Sequence, residues 1–367
     1  PPMPSPILRV ALAAAAVLAL LVAPAAAQTV DLTTLFGRCP LCTATVPENF
    51  TNGDAGPSFY SACLIFSAFE DATLDGYDLE AASFCGSNFT TTSMSRVTAD
   101  LAEFTGSFMT GVDLTRGSFR YADFTAASLD FVNGSNADFF GVAAPASAWR
   151  RSFFRSSSFE NTNADRSFWT GSLAVDSSFA NCTLTGAVLN DANFSTSSIT
   201  GTNAQQARLE SSFFIETVFR ATNLRWALLN RSTFTGATFN LVDAYNTDCS
   251  TSVFNNADLR GSVFTWANFA GSSLAGADLR NSTFYYANMQ SVNFTETTMT
   301  GAQFFGVSGL PGSGNCEEFC ADPLRACLCD VPPASTEERI PAPAAYLPAE
   351  RVAVPTTFVA LDLATRV

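Results

Sequence analysis

A five-residue period runs through about two-thirds of this chain without a slip in register. Every fifth residue from Phe59 to Phe304 gives 50 positions, and 42 of them hold Phe, Leu, Met, Ile or Trp. The residue two places earlier is Ala, Ser, Thr, Val, Gly or Cys at 48 of the 50 positions. Such an internal repeat decides the architecture before any secondary structure is assigned. The bulky positions are interrupted only at Ala99, Gly134, Ala144, Ala164, Ala174, Ala204, Ala244 and Cys249.

A period of five matches neither of the common regular structures. A helix face repeats every 3.6 residues and a strand face every second residue. A chain that turns a corner every five residues accounts for the pattern. The repeat resembles the pentapeptide-repeat family, whose consensus is often written A(D/N)LXX. Residues 257–261, 267–271 and 277–281 spell it as ADLRG, ANFAG and ADLRN.

The resemblance implies an all-β fold, a right-handed quadrilateral β-solenoid of about 50 repeats with cysteine-rich caps. Four repeats make one square coil in this family, which gives about 12 coils and a rod of roughly 60 Å. The bulky central residue and the small residue two before it point inward, and residues twenty apart share a column. The small residue lies where the backbone bends and little room remains.

One inward column is unusually thin. Ala144, Ala164, Ala204 and Ala244 belong to it, and the column across the coil holds Phe154, Ala174, Phe214 and Phe254. The pairing of Ala164 with Ala174 predicts a narrow void or a pinched coil, unless the neighbouring Trp149 and Trp169 fill the space from the side.

The repeat array divides the chain into five segments. Residues 1–27 read as a secretory signal peptide, with Arg9, an apolar run from Val10 to Val22, and small residues at Ala25 and Ala27. A signal anchor and a plastid-lumen transfer segment are the alternatives. Residues 28–58 are predicted to form an N-terminal cap, 59–306 the β-helix, 307–330 a cysteine-rich C-terminal cap and 331–367 a Pro-rich tail. The predicted location is extracellular, with the thylakoid lumen as the alternative.

The ten cysteines support this division. A secreted chain with four cysteines near each end suggests two disulfides at each end. A zinc site formed by the last four is the alternative. Cys63 and Cys85 point outward one coil apart, too far for a direct bridge, so we expect them to pair with Cys39 and Cys42. Cys182 and Cys249 lie at inward positions and are expected to be buried free thiols. The disulfide candidates are Cys39, Cys42, Cys63, Cys85, Cys316, Cys320, Cys327 and Cys329.

Composition removes most catalytic chemistry. The chain has no His and no Lys, which excludes Ser-His-Asp and Cys-His catalysis, Schiff-base lysines, P-loops and His-ligated metals. The formal net charge of −14 disfavours binding to nucleic acid. We therefore expect no enzyme, no cofactor and no metal. The Asp and Asn residues before the repeat centres are interpreted as turn and ladder formers.

Two neighbouring outward columns carry aromatic residues that no packing requirement explains. An exposed aromatic patch is typical of a surface that binds glycans or protein partners. The candidate binding face consists of Arg225, Trp226, Tyr245, Asn246, Trp266, Tyr285 and Tyr286.

Eight N-x-S/T sequons are candidates for N-glycosylation. Seven lie in the repeat array, all at outward positions of the frame. They are Asn49, Asn88, Asn133, Asn181, Asn193, Asn230, Asn281 and Asn293.

The favoured function is therefore a secreted, non-enzymatic scaffold or binding protein whose partner is an unknown protein or glycan. The alternative follows from the resemblance, because some acidic pentapeptide-repeat proteins mimic DNA and inhibit type II topoisomerases. A rod of this kind is also compatible with end-to-end or side-by-side homo-oligomers. No segment after the signal peptide is predicted to span a membrane.

Overall fold

The computed structural model describes residues 58–312, 316–321 and 327–329. They all belong to the first of two compact units, Pro1–Thr336, whereas the second unit, Glu337–Val367, lies outside them. The predicted signal peptide, most of the N-terminal cap and the Pro-rich tail also lie outside the described residues. Within that described part, no helix has the length and apolar character needed to cross a membrane.

The chain turns a corner after every repeat centre. The carbonyl of Phe59 accepts a hydrogen bond from the N–H of Ala62, three residues on, and the same turn recurs along the array. Every fifth residue from Ser61 to Gly306 has a positive φ, between 51° and 73°. Positive φ at the third turn residue is the signature of a type II turn. Most of these corners are not glycine, so the coils impose a backbone conformation that L-residues otherwise avoid.

Successive coils are held by parallel β-bridges between residues twenty apart. The ladder begins with Ser58↔Asp78 and continues without interruption to Asn288↔Ser308. Around each bridge the N–H of one coil donates to a carbonyl of the next, as in Phe59 N to Asp78 O at 2.6 Å. The bridges are isolated, so no longer strand forms. These observations confirm a β-solenoid with four repeats per coil.

The core is a set of stacked columns. Residues at the repeat centre and two places before it are buried along almost the whole array. Phe104 and Phe124, one coil apart, stack with ring centroids 4.9 Å apart. Many small positions also bury a hydroxyl, and Ser152 Oγ donates to the carbonyl of Leu129 at 2.8 Å. The small residue therefore fits a tight bend and also satisfies a carbonyl of the preceding coil.

The thin coils are filled from the side. Trp149 and Trp169 are fully buried and stack with 5.1 Å between centroids. Trp169 belongs to the coil that contains Ala164 and Ala174, and its ring also contacts Phe179 edge-on at 5.7 Å. Both indoles therefore lie in the core of the coils that contain the alanines, surrounded by other aromatic rings.

The Asp and Asn residues before the repeat centres do form turns and ladders. Asp243 Oδ1 accepts the N–H of Tyr245, two residues on, at 3.2 Å. Asn288 Nδ2 donates to Asn268 Oδ1, and Asn268 Nδ2 donates to Asp248 Oδ1. These side chains stabilise the corner of one coil and its contact with the next.

The C-terminal end of the array is closed by a short helix, α1, which spans Cys316–Cys320. Two disulfides, Cys316–Cys329 and Cys320–Cys327, hold it. The four cysteines are therefore paired in disulfides, which was the first of the two predictions, rather than arranged as a zinc site. Leu328 adds a last bridge to Gln303. At the other end Cys63 and Cys85 are both disulfide-bonded. Their predicted pairing with Cys39 and Cys42 lies outside the described residues.

Candidate functional site

The candidate binding face lies at one corner of the coils, here called the aromatic corner, and it has two parts. Arg225 organises the first part. Its guanidinium carbon lies 5.1 Å from the ring centroid of Trp226 and 4.7 Å from that of Tyr245. Trp226 and Tyr245 meet edge to face at 6.0 Å. Arg225 also pairs with Asp243 at 3.1 Å. The cation is thus held by a carboxylate and two rings, and its charge is locally balanced.

The second part is a column of stacked rings. Trp266 stacks on Tyr286 with centroids 4.4 Å apart, and Tyr286 meets Phe305 edge-on at 5.6 Å. Tyr286 also covers Gly306, where a Cβ atom would lie 2.5 Å from the tyrosine ring.

The same arrangement occurs once more, at another corner of the rod. Tyr121 covers Gly141 and meets Phe140 edge-on at 5.5 Å. Packing therefore explains the position of Tyr286. What distinguishes the predicted corner is its pair of tryptophans.

The predicted exposure of this corner is wrong for two residues. Tyr245 is 4% exposed and Tyr285 5% exposed. The Tyr245 ring lies against Arg225 and Trp226, and the Tyr285 hydroxyl donates to the side-chain carbonyl of Gln303. Frame position alone did not reveal this, because a long side chain leaving the wall can fold along it. The accessible surface is therefore narrower than predicted, with Tyr286 exposed and Trp226, Asn246 and Trp266 half-buried.

Two polar atoms at this corner are buried without a hydrogen-bond partner in the described part of the chain. They are Nε1 of Trp226 and the hydroxyl of Tyr245. A buried donor left unpaired costs about 1–3 kcal/mol, so such atoms call for an explanation. They lie on two neighbouring rings, next to the half-buried Asn246.

The predicted glycosylation sites differ in accessibility. Asn88 is only 6% exposed, and its amide donates to the Glu70 carboxylate, so the folded chain does not present this amide to solvent. Its outward position in the frame was a poor guide, because the neighbouring coil covers it. The Asn49 sequon lies outside the described residues. Asn193 and Asn230 are half-buried, and the exposed sites are Asn133, Asn181, Asn281 and Asn293.

Sequence reasoning missed a second surface, the apolar stripe, which we define as Phe131, Phe153, Leu173, Phe213 and Ile215. Their exposed fractions are 52%, 49%, 38%, 49% and 38%. The bridges Phe153↔Leu173, Leu173↔Asn193 and Asn193↔Phe213 link one residue from each of four successive coils, so these residues lie on the same side of the rod. The signal was available in part, since Phe153, Leu173 and Phe213 lie immediately before a repeat centre, where side chains point outward.

Cys182 and Cys249 are buried free thiols, as predicted. Burial raises the pKa of the Cys182 thiol to about 12, and burial also raises the pKa of Cys249. Neither group is suited to act as a nucleophile at neutral pH, because the thiolate is the reactive form.

Comparison with known proteins identifies the repeat. The model for pentapeptide repeats matches eight copies, over residues 78–116, 177–214 and 262–301. No curated protein matches the sequence.

Three solved structures are similar to this chain at low identity. HetL, a pentapeptide repeat protein involved in heterocyst differentiation regulation in the cyanobacterium Nostoc sp. PCC 7120, is 17% identical. The match covers 72% of this chain and 94% of HetL, with a TM-score of 0.32. A trypsin-treated variant of QnrB1, a plasmid-mediated fluoroquinolone resistance protein, is 15% identical over 61% of this chain and 90% of its own, with a TM-score of 0.29.

The third is the A-module of the mannuronan C-5 epimerase AlgE6 from Azotobacter vinelandii. It is 9% identical over 76% of this chain and 92% of its own, with a TM-score of 0.30. At these scores the three structures add nothing to the argument from the repeats. The uninterrupted five-residue frame, its 20-residue ladder and the match to the repeat model place this chain in the pentapeptide-repeat family.

Proposed function

We propose that this chain is a secreted, non-enzymatic binding protein, and that its aromatic corner binds a neutral glycan. The aromatic corner is Trp226, Asn246, Trp266 and Tyr286, with Arg225 and Tyr245 behind it. Secretion is supported by the apolar run and small-residue motif near the start of the sequence. Disulfides at the C-terminal end are consistent with an oxidising compartment.

The observation that carries the glycan proposal is the stacked pair of Trp266 and the exposed Tyr286, with the half-buried Trp226 and Asn246 in the same column. Aromatic rings at such a surface can stack against the apolar face of a sugar ring. Trp226 and Trp266 lie two coils apart, which is about 10 Å at ~4.8 Å per coil. Asn246 lies between them and adds an amide donor and acceptor.

Charge favours a neutral ligand over an acidic one. Asp243 pairs with Arg225, so the corner offers no unbalanced cation for a sulfate or a uronic acid. The formal net charge of −14 repels polyanions at longer range.

The DNA-mimic alternative stays a prediction. A DNA mimic needs a continuous row of uncompensated carboxylates. Asp258 and Asp278 instead pair with Arg260 and Arg280 at 2.6 Å each. Asp130 is paired with Arg150 in the same way.

A glycan array probed with the purified chain tests the proposal, followed by calorimetry on each hit. We expect neutral glycans to bind and the double variant Trp226→Ala/Trp266→Ala to lose at least tenfold in affinity. Trp226→Phe keeps an aromatic ring for stacking, so a smaller loss than that of the double variant is expected. Tyr121→Ala is the matched control, because Tyr121 repeats the packing of Tyr286 at another corner. Equal binding by the wild type and the double variant would contradict the proposal, as would a preference for acidic glycans.

A further inference from the structure

We propose that the apolar stripe is a self-association surface on which two copies of this chain pair side by side and antiparallel. The stripe and the two tryptophans Trp226 and Trp266 lie on different sides of the coil. This proposal is therefore independent of the glycan proposal. Phe131, Phe153 and Phe213 each expose about half of their surface. Exposed apolar clusters of this kind are unusual on a monomer and mark interaction sites.

Two arginines lie in the Phe153 coil of the stripe and acidic residues lie in the following coils, and Arg155 pairs with Asp176 of its own chain at 3.6 Å. Arg151 and Arg155 are exposed beside Phe153. Asp191 and Glu216 are exposed towards the Phe213 end. A second copy that runs in the opposite direction brings these acidic residues towards the arginines.

A two-fold axis across the rod, halfway between the coils of Leu173 and Asn193, gives this arrangement. Residues at the same place in coils equally far from this axis then face each other. Phe153 of one copy meets Phe213 of the other, and Arg155 lies beside Glu216. Phe131 comes opposite Arg231, whose side chain is 63% exposed. Because the interface is isologous, each of these contacts occurs twice.

A parallel pair of rods is disfavoured by the same residues. An axis along the rod would bring Arg151 of one copy towards Arg155 of the other, at the same coil. Like charges placed together across an interface cost several kcal/mol. The antiparallel arrangement avoids this repulsion and brings Glu216 of each copy towards Arg155 of the other, which already pairs with Asp176 of its own chain.

The available area sets the strength of the dimer. The stripe and its flanking charges span six coils, about 29 Å long and about 12 Å wide. This corresponds to roughly 700 Å² buried in total, below the range of about 1,200–2,000 Å² for stable complexes. We therefore expect a reversible dimer with a dissociation constant on the order of 10–100 μM.

Sedimentation of the full chain, expressed without N-glycosylation, tests the proposal at concentrations from about 1 to 300 μM. Glycosylation is avoided because a glycan on Asn193 would lie in the middle of the stripe. We expect the wild type to dimerise, and Phe153→Ser and Phe213→Ser each to raise the dissociation constant about tenfold or more. Leu241→Ser is the control, because Leu241 is 59% exposed on another side of the rod.

A charge exchange tests the orientation. Arg155→Glu and Glu216→Arg should each weaken the dimer, whereas the double variant should restore most of the wild-type affinity. A monomeric wild type over the whole range would overturn the proposal. So would a dimer insensitive to Phe153→Ser and Phe213→Ser, or single charge variants that the double variant does not rescue. The proposal would also be overturned if the chain stayed monomeric and bound a different protein through Phe213.

Discussion

Trp169 stacks on Trp149, one coil away, with 6° between the planes of the two indoles. Each indole Nε1 donates to the serine two residues before it, Trp149 to Ser147 and Trp169 to Ser167. The small position of the repeat thus supplies both the room and the acceptor for the largest side chains in the core. This relationship lets the array keep its frame where alanine replaces the usual bulky residue.

Trp149 and Trp169 are not equivalent, so their replacement by alanine should lower the free energy of unfolding by different amounts. The coil of Trp169 also contains Ala164, Ala174 and Phe179, so Trp169→Ala leaves one large side chain in that coil. The coil of Trp149 retains two phenylalanines. We expect Trp169→Ala to lower the free energy of unfolding by about 3–5 kcal/mol, and by more than Trp149→Ala does. Urea unfolding measures both values. An equal or smaller loss for Trp169→Ala would contradict this account.

The repeat frame could be predicted from sequence because every column depends on the same two choices, a bulky centre and a small residue before it. The burial of Cys182 followed from that, whereas the four-repeat coil was implied by the resemblance to the pentapeptide-repeat family. The surface was less predictable. Tyr245 was expected to project into solvent, yet its ring lies against Arg225. Outward position fixes where a side chain leaves the wall but not where its end lies.

The cysteine pairing and the apolar stripe show the same limit in different ways. Four cysteines allow three pairings, and α1 selects one of them by bringing Cys316 to Cys329 and Cys320 to Cys327. Phe153 and Phe213 occupy visible outward positions, but only their shared column and exposure make them a surface.

Glycines at the corners offer a test of strain against steric contact. Gly76 and Gly141 both have φ of +69°, but only the Cβ of an alanine at 141 would meet the Tyr121 ring, at 2.6 Å. Gly76→Ala should cost about 1–2 kcal/mol from backbone strain alone. Gly141→Ala should cost about 1–3 kcal/mol more, because the ring must move.

Chemical denaturation of both glycine variants gives the comparison. The ring contact can be removed separately, so Tyr121→Ala in the Gly141→Ala background should recover most of the extra loss. Equal costs for Gly76→Ala and Gly141→Ala would show that the tyrosine ring yields freely.

The buried thiols should be inert in the folded chain. Burial raises the pKa of Cys182 to about 12, so very little thiolate forms at pH 8. We expect neither Cys182 nor Cys249 to react with an exposed-thiol reagent until the chain unfolds, with the disulfides kept oxidised. Mass spectrometry of labelled peptides before and after denaturation distinguishes the two states. Rapid labelling of the Cys182 peptide under native conditions would indicate that its coils open locally.

The C-terminal cap should stabilise the last coil and little else. Leu328 accepts from the N–H of Phe304 at 2.8 Å and donates to the carbonyl of Ala302 at 2.7 Å. The Cys320–Cys327 disulfide holds the segment that supplies these bonds, and a loop of this length contributes about 2–3 kcal/mol. In a solenoid each coil contacts only its neighbours, so loss of a cap acts locally.

Hydrogen exchange of Cys320→Ser/Cys327→Ser measures that locality. The amide of Phe304 should exchange at least tenfold faster than in the wild type. The amide of Trp169, which lies in the middle of the array and donates to the carbonyl of Val188, should be unchanged. Faster exchange at both amides would mean that the cap controls the cooperative unfolding of the whole rod. Unchanged exchange at Phe304 would mean that Cys316–Cys329 alone closes the end, and Cys316→Ser/Cys329→Ser would then be the variant that releases it.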